Sequence, residues 1–173
     1  MGITTPVQAK LFIGMISSFE DLFKELTELL IQSYGPLDKC SKIFPFDRTS
    51  YYEDELGKNL KKYFISFENL IEQDDIVAIK HFSNDLEQEY ATSSKQRQIN
   101  LDPGYLTAAK VVLATTKDYS HRLYLNKSIY AEVTLNFKEG RPRGFPWTYP
   151  DYLRSDYGDY LSQLRVIYMR QIK

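Results

Sequence analysis

Apolar and polar residues alternate strictly from Arg122 to Phe137, RLYLNKSIYAEVTLNF. Leu123, Leu125, Ile129, Ala131, Val133, Leu135 and Phe137 share one parity, and all are apolar. Arg122, Tyr124, Tyr130, Glu132, Thr134 and Asn136 share the other, and all are polar or aromatic. Successive strand side chains point to opposite faces, so the stretch predicts an antiparallel hairpin with one core face and one face free for binding. Asn126-Lys127-Ser128 is the polar break. A three-residue loop there pairs Leu125 with Ile129, Tyr124 with Tyr130 and Arg122 with Glu132. These pairs either simply stabilise the sheet, at about 0.2–1 kcal/mol each, or place Arg122 and Glu132 on the floor of a pocket.

The rest of the chain supplies partners for this hairpin. Ala9 to Ser17, AKLFIGMIS, reads as a buried strand. Ser17 and Ser18 stand three residues before Glu20 and Asp21, the spacing of a capping box. The helix that follows carries Phe19, Leu22, Phe23, Leu26, Leu29 and Leu30 as one stripe, and Gly35-Pro36 ends it. KCSKIFPF is a second strand weakened by Pro45, and Asp47 to Gly57 is a polar connection with a short helix, or else a lid or a cation site. Lys61 to Glu68 is a third strand, and Asp74 or Asp75 opens a helix with Ile76, Ile79, Leu86 and Tyr90. Asp102-Pro103-Gly104 predicts a tight turn. Leu106 to Thr116 predicts a short helix running into a strand. Glu139 to Pro146 is a Gly/Pro loop that ends the sheet, and Ser155 starts a last helix carrying Tyr157, Tyr160, Leu161, Leu164 and Tyr168. No repeat or linker interrupts residues 1–173, which predicts a single domain. The fold class is α+β: a mostly antiparallel sheet with about three helices on one face, its most specific form an extended ferredoxin-like core.

Composition narrows the function more by exclusion. Apolar residues are 43% and charged residues 26%, with net charge −1 and pI about 6.1. That balance gives no strong nucleic-acid signal, since no bulk positive charge is present. No apolar stretch approaches the roughly 20 residues of a membrane span, and MGITTPVQAK lacks the charged start and apolar run of a signal peptide. A cytoplasmic protein is expected. Cys40 is the only cysteine, so it reads as a small buried hydrophobe and builds no internal disulfide or cysteine cluster. With only His81 and His121 besides, no metal site is expected.

The densest polar run is Thr115-Thr116-Lys117-Asp118-Tyr119-Ser120-His121-Arg122. Lys117 and Arg122 are suited to a phosphate or carboxylate, Arg122 in bidentate fashion. His121 and Glu132 are the candidate proton-handling residues. Asp118, Tyr124 and Tyr130 are candidate ligand contacts, as are Arg97, ahead of the Asp-Pro-Gly segment, and Asp102 at its start. Tyr149, Asp151 and Arg154 follow the lone Trp147. The plainer alternative is a polar turn with cross-strand ion pairs. No phosphate loop, G-x-G-x-x-G, G-x-S-x-G or H-E-x-x-H occurs, and no cofactor is implied. His81-Phe82-Ser83 supplies half of the paired H-x-[ST] pattern of 2H phosphoesterases, but His121-Arg122-Leu123 lacks the second hydroxyl. The leading expectation is binding of an anionic small molecule, a nucleotide or phosphorylated metabolite. The alternatives are a protein–protein interaction module, whose same face meets a partner or a second copy as a homodimer, and a phosphoesterase-like hydrolase.

Five stretches carry a family resemblance: PFDRTSYYEDELG, INLDPGYL, VLATTKDYSHRLYL, IYAEVTL and WTYPDY. On these the chain resembles an uncharacterised bacterial domain-of-unknown-function family, number 4416, over nearly its whole length. Some members of that family are labelled GTP-binding proteins, so the resemblance implies a nucleotide as a candidate ligand. It brings no catalytic residues with it.

Overall fold

Strand β1, Ala9–Ser17, is buried at every residue and lies inside the sheet. A computed structural model describes residues 2–93 and 96–173. After β1 come α1 (Glu20–Tyr34), β2 (Leu37–Cys40), β3 (Phe44–Pro45), α2 (Glu53–Leu56), β4 (Lys61–Ile71) and α3 (Ile76–Glu89). The second half holds β5 (Asn100–Leu106), β6 (Lys110–Thr115), β7 (Leu123–Asn126), β8 (Ile129–Lys138), β9 (Arg141–Gly144) and α4 (Ser155–Gln171). The strands form one antiparallel sheet in the order β2-β4-β1-β5-β6-β8-β7, with β3 on β4 and β9 on β8. Its first four strands, with α1 after β1 and α3 after β4, make the β-α-β-β-α-β pattern of a ferredoxin-like core. The hairpin strands extend that core, and the fold is α+β.

Helices cover both faces rather than one. Phe23, Leu26 and Leu30 of α1 and Ile76, Ile79 and Leu86 of α3 pack with Leu11, Ile13 and Met15 of β1. On the opposite face Tyr157, Tyr160, Leu161 and Leu164 of α4 pack with Phe12 and Phe64. AKLFIGMIS is apolar at nearly both parities, and a strand of that kind needs cover on both sides. The Ser17-Ser18 capping box is not formed: Ser17 Oγ instead accepts from Phe19 N–H at 2.9 Å and donates to the Gln98 carbonyl at 2.7 Å. Gly35 ends α1 at φ +94° and leaves its N–H on Ile31 O, as its position predicts. Cys40 is exposed rather than buried.

Three other expectations are corrected. Asp102-Pro103-Gly104 is not a turn but the middle of β5, paired residue for residue with β1 from Lys10 to Ile16. Proline is tolerated there because the ladder to β6 begins only at Gly104, leaving Pro103 unpaired on that side. Nor is there a helix after Leu106; Thr107 N–H bonds Lys110 O and β6 follows at once. Glu139 to Pro146 does not end the sheet, since β9 folds back on β8 from Arg141 to Gly144.

The hairpin keeps part of its expected register. Tyr124 pairs with Tyr130, but Asn126 rather than Leu125 meets Ile129. The loop is two residues, Lys127 at φ +46° and Ser128 at φ +62°, a geometry whose twist suits a tight hairpin. The strict alternation does not give one greasy face. Val111 pairs with Leu135 and Val112 with Val133, so Thr134 is an extra residue in β8. Ile129, Ala131 and Val133 therefore pack with α1 and α3, whereas Leu135 and Phe137 pack with α4. Leu123 and Leu125 of β7 are exposed.

Candidate functional site

β5 and β6 pair only through Gly104–Leu106 and Val111–Leu113. Beyond Gly104 the two strands part, β5 staying with β1 and β6 staying with β8. Helix α3 satisfies the edge thus freed: Lys80 Nζ donates to Leu101 O at 2.9 Å, and Glu87 Oε1 accepts from Leu101 N–H at 2.6 Å. Two charged side chains replace the ladder bonds that β6 would have made. A cleft of about 1260 Å³ lies at the parting, lined from both strands, from α3, from the α2 segment and from the 145–153 segment.

The deep end is built around Lys62 of β4, whose side chain is almost wholly buried. Its Nζ lies 3.2 Å from Asp102 Oδ2 and 3.8 Å from Asp151 Oδ2, and it sits over the rings of Phe64 and Tyr152, each at 5.3 Å from the centroid. Burial raises the Asp102 carboxyl, but Lys62 and Lys80 outweigh it and hold the group below the usual carboxylate range. Asp151 goes the other way: burial raises it, Lys62 only partly offsets this, and Asp102 adds to it. Glu87 is also raised by burial, against the pull of Lys80 and Arg97. The Tyr152 hydroxyl is pushed far up by burial, then by Asp102 and Asp151, so it keeps its proton.

Glu132 organises the side wall. Its Oε2 accepts from Arg122 Nε at 2.9 Å and lies 3.2 Å from His121 Nε2, while Oε1 accepts from Thr134 Oγ1 at 3.1 Å. Arg122 is further fixed by Lys117 O at 3.0 Å and by the Tyr149 hydroxyl at 2.7 Å. Burial, then Glu132, raises the Tyr149 phenol. His121 stacks on Trp147 at 5.4 Å, and Trp147 stacks on Phe145 at 4.9 Å. The Trp147 indole N–H is held by Val133 O at 3.0 Å. At the mouth, exposed Lys117 reaches the Tyr51 hydroxyl and lies over that ring at 4.6 Å. No carboxylate among the described residues is within ion-pair distance of Lys117.

Arg97, Asp102, Lys117, His121, Arg122 and Glu132, all named from the sequence, line this one cleft. Arg97 is clamped by Glu87, Asn100 and Glu55. Asp118, Tyr124 and Tyr130 do not line it; Asp118 is exposed, and the two tyrosines meet edge-on at 5.4 Å on the outer hairpin. Of the hairpin's polar face, Arg122 and Glu132 line the cleft and Tyr124 and Tyr130 do not. His81 lies outside the cleft with Nε2 on Lys127 O, so the two histidines do not share it. Sequence reasoning missed Lys62, Lys80, Glu87 and Tyr152. One signal existed for Lys62: it shares strand parity with Phe64 and Ser66, which put a charge on a core-facing position.

A family described as Domain of unknown function (DUF4416) matches residues 7–168. No curated protein and no solved structure matches the chain. Among the described residues, no helix is long and apolar enough to cross a membrane, and no group of three or more His, Cys, Asp or Glu is placed to hold a metal ion.

Proposed function

The chain belongs to the DUF4416 family, and we propose that it binds an anionic small molecule, a nucleotide or phosphorylated metabolite, in the cleft where β5 and β6 part. Lys117 carries this reading: it stands at the mouth without a carboxylate partner among the described residues, next to an Arg122 already oriented by Glu132 and Tyr149. An anionic group at the mouth meets the Lys117 ammonium. His121, paired with Glu132, is the group placed to move a proton if the bound molecule reacts. The test is thermal denaturation over a panel of nucleotides and phosphorylated metabolites, because a ligand that binds the folded state raises its midpoint. A selective rise is expected, lost in Lys117→Ala, with the unliganded midpoint unchanged because Lys117 is exposed. No rise with any compound, or the same rise in Lys117→Ala, refutes the reading.

A second reading draws on β7. It is the last strand of the sheet and is exposed at all four residues, Leu123 to 73%. An open edge of that kind can pair with a strand of another chain. Light scattering that gives a dimer for the native chain and a monomer for Leu123→Lys supports this second reading; a monomer in both removes it.

A further inference from the structure

Buried polar atoms in folded proteins find hydrogen-bond partners, and the exceptions call for a reason. Among the described residues, Asn100 Nδ2, Tyr152 OH, Tyr157 OH and Ser162 Oγ are buried and have none. Two of them, Asn100 and Tyr152, line the deep end of the cleft, and their residues are only 4% and 3% exposed. Both are donors there: an amide N–H₂ has no other role, and the Tyr152 phenol keeps its proton. The Asn100 amide has no acceptor within 3.5 Å, but it lies close enough to Asp102 to act on that carboxyl as a donor and help hold it low, so the Tyr152 hydroxyl is the clearer of the two unpaired donors. The same end holds the acceptors Asp102 and Asp151 and the cation Lys62.

This mixture discriminates among ligand groups. A phosphate or carboxylate inserted here meets two carboxylates that repel it. An apolar group leaves the two donors unsatisfied and desolvates Lys62. A hydroxyl both accepts and donates, so neighbouring hydroxyls satisfy every group at once. They accept from Asn100, Tyr152 or Lys62 and donate to Asp102 or Asp151.

We infer that the deep end of the cleft is a polyol subsite, and that the molecule bound is a phosphorylated sugar, nucleotides included, lying with its hydroxyls inward and its phosphate at Lys117. This deepens the anion-binding reading and rests on it for the phosphate end alone. Polar selectivity at the deep end comes from leaving the site's own donors unpaired when a hydroxyl is missing, which is the stronger form of discrimination.

The test compares hydroxyl and deoxy partners on the full chain by calorimetric titration: ribose 5-phosphate against 2-deoxyribose 5-phosphate, glucose 6-phosphate against 2-deoxyglucose 6-phosphate, and adenosine monophosphate against its 2′-deoxy form. Ribose, glucose and inorganic phosphate complete the panel. At least one hydroxyl partner is expected to bind at least about tenfold tighter than its deoxy form. Tyr152→Phe is expected to erase much of that ratio. Because the Tyr152 hydroxyl has no partner among the described residues, Tyr152→Phe is also expected to leave the unliganded melting midpoint unchanged or raised. Equal binding of hydroxyl and deoxy partners in every pair, no binding by any hydroxyl partner, or an unchanged ratio in Tyr152→Phe overturns the polyol subsite. Free sugars that bind as tightly as their phosphates, indifferent to Lys117→Ala, leave this subsite standing and remove the anion reading. Phosphates that bind without regard to the deoxy change do the reverse.

Discussion

Removing the Glu132 carboxylate is the sharpest single perturbation of the cleft wall. In Glu132→Ala, Arg122 loses its Nε partner at 2.9 Å, His121 loses its neighbour at 3.2 Å and Thr134 loses an acceptor. The Arg122 side chain is 5% exposed and that of Glu132 1%, so water does not readily replace what is lost. Breaking a buried pair by deleting one partner costs about 3–5 kcal/mol, because the other charge stays buried. Arg122 keeps the Lys117 carbonyl and the Tyr149 hydroxyl, which places the cost at the lower end, about 3 kcal/mol. For a chain of this length that is roughly 6–12 °C in melting midpoint, at about 2–4 °C per kcal/mol. Urea unfolding followed by circular dichroism measures it. The paired change Arg122→Met with Glu132→Leu is expected to recover most of the loss, since an apolar pair of similar size leaves no stranded charge. A Glu132→Ala midpoint within about 1 kcal/mol of the native protein, or a double variant no more stable than the single one, refutes this account of the wall.

Other expectations follow from packing and titration. Gly104→Ala places a Cβ 2.6 Å from the Val112 carbonyl oxygen and 2.8 Å from Phe12 Cζ; overpacking of this kind costs about 1–3 kcal/mol, and unchanged urea stability contradicts the close β5–β6 approach. Asp151 has a folded-state pKa raised by burial, so its contribution is fully present below the unfolded value and is lost as pH rises through the folded one. Asp151→Asn is therefore expected to gain on the native protein as pH increases above about 4, and parallel urea midpoints across pH 4–7 would rule that out. Asp102 has a lowered pKa, so its contribution is present above the unfolded value and disappears as pH falls through the folded one. Asp102→Asn is accordingly expected to cost stability at neutral pH and progressively less in acid. Ser128→Gly relieves a left-handed backbone at φ +62° and is expected to stabilise the hairpin by roughly 0.5 kcal/mol, seen as a small rise in melting midpoint.

Local periodicity carried much of the fold. β1, α1, β4, α3 and α4 lie where their apolar spacing puts them, and the Tyr124–Tyr130 and Arg122–Glu132 contacts of the hairpin are present. The failures share a cause: each depended on a neighbour that local sequence does not specify. Asp102-Pro103-Gly104 has turn chemistry, yet pairing with β1 holds it extended and the departing β6 excuses the proline. One extra residue, Thr134, sends Leu135 to the opposite core from Val133, and nothing in strict alternation announces a bulge. The cleft itself exists only because β5 and β6 part. Its polar groups were partly visible on the 115–122 run, whereas Lys62, Lys80 and Glu87 were hidden in elements that read as ordinary strand and helix.

Trp147 is the only tryptophan, and its indole stacks on His121 in the cleft wall while its N–H bonds Val133 O. Its indole N–H therefore gives a single resonance that reports on this cleft alone. Titrating ¹⁵N-labelled protein with adenosine monophosphate and with ribose 5-phosphate is expected to move that resonance saturably, and Lys117→Ala is expected to push saturation to higher concentration. A resonance that stays fixed through both titrations, or that moves identically in Lys117→Ala, contradicts the claim that the parting of β5 and β6 is a binding site for phosphorylated small molecules.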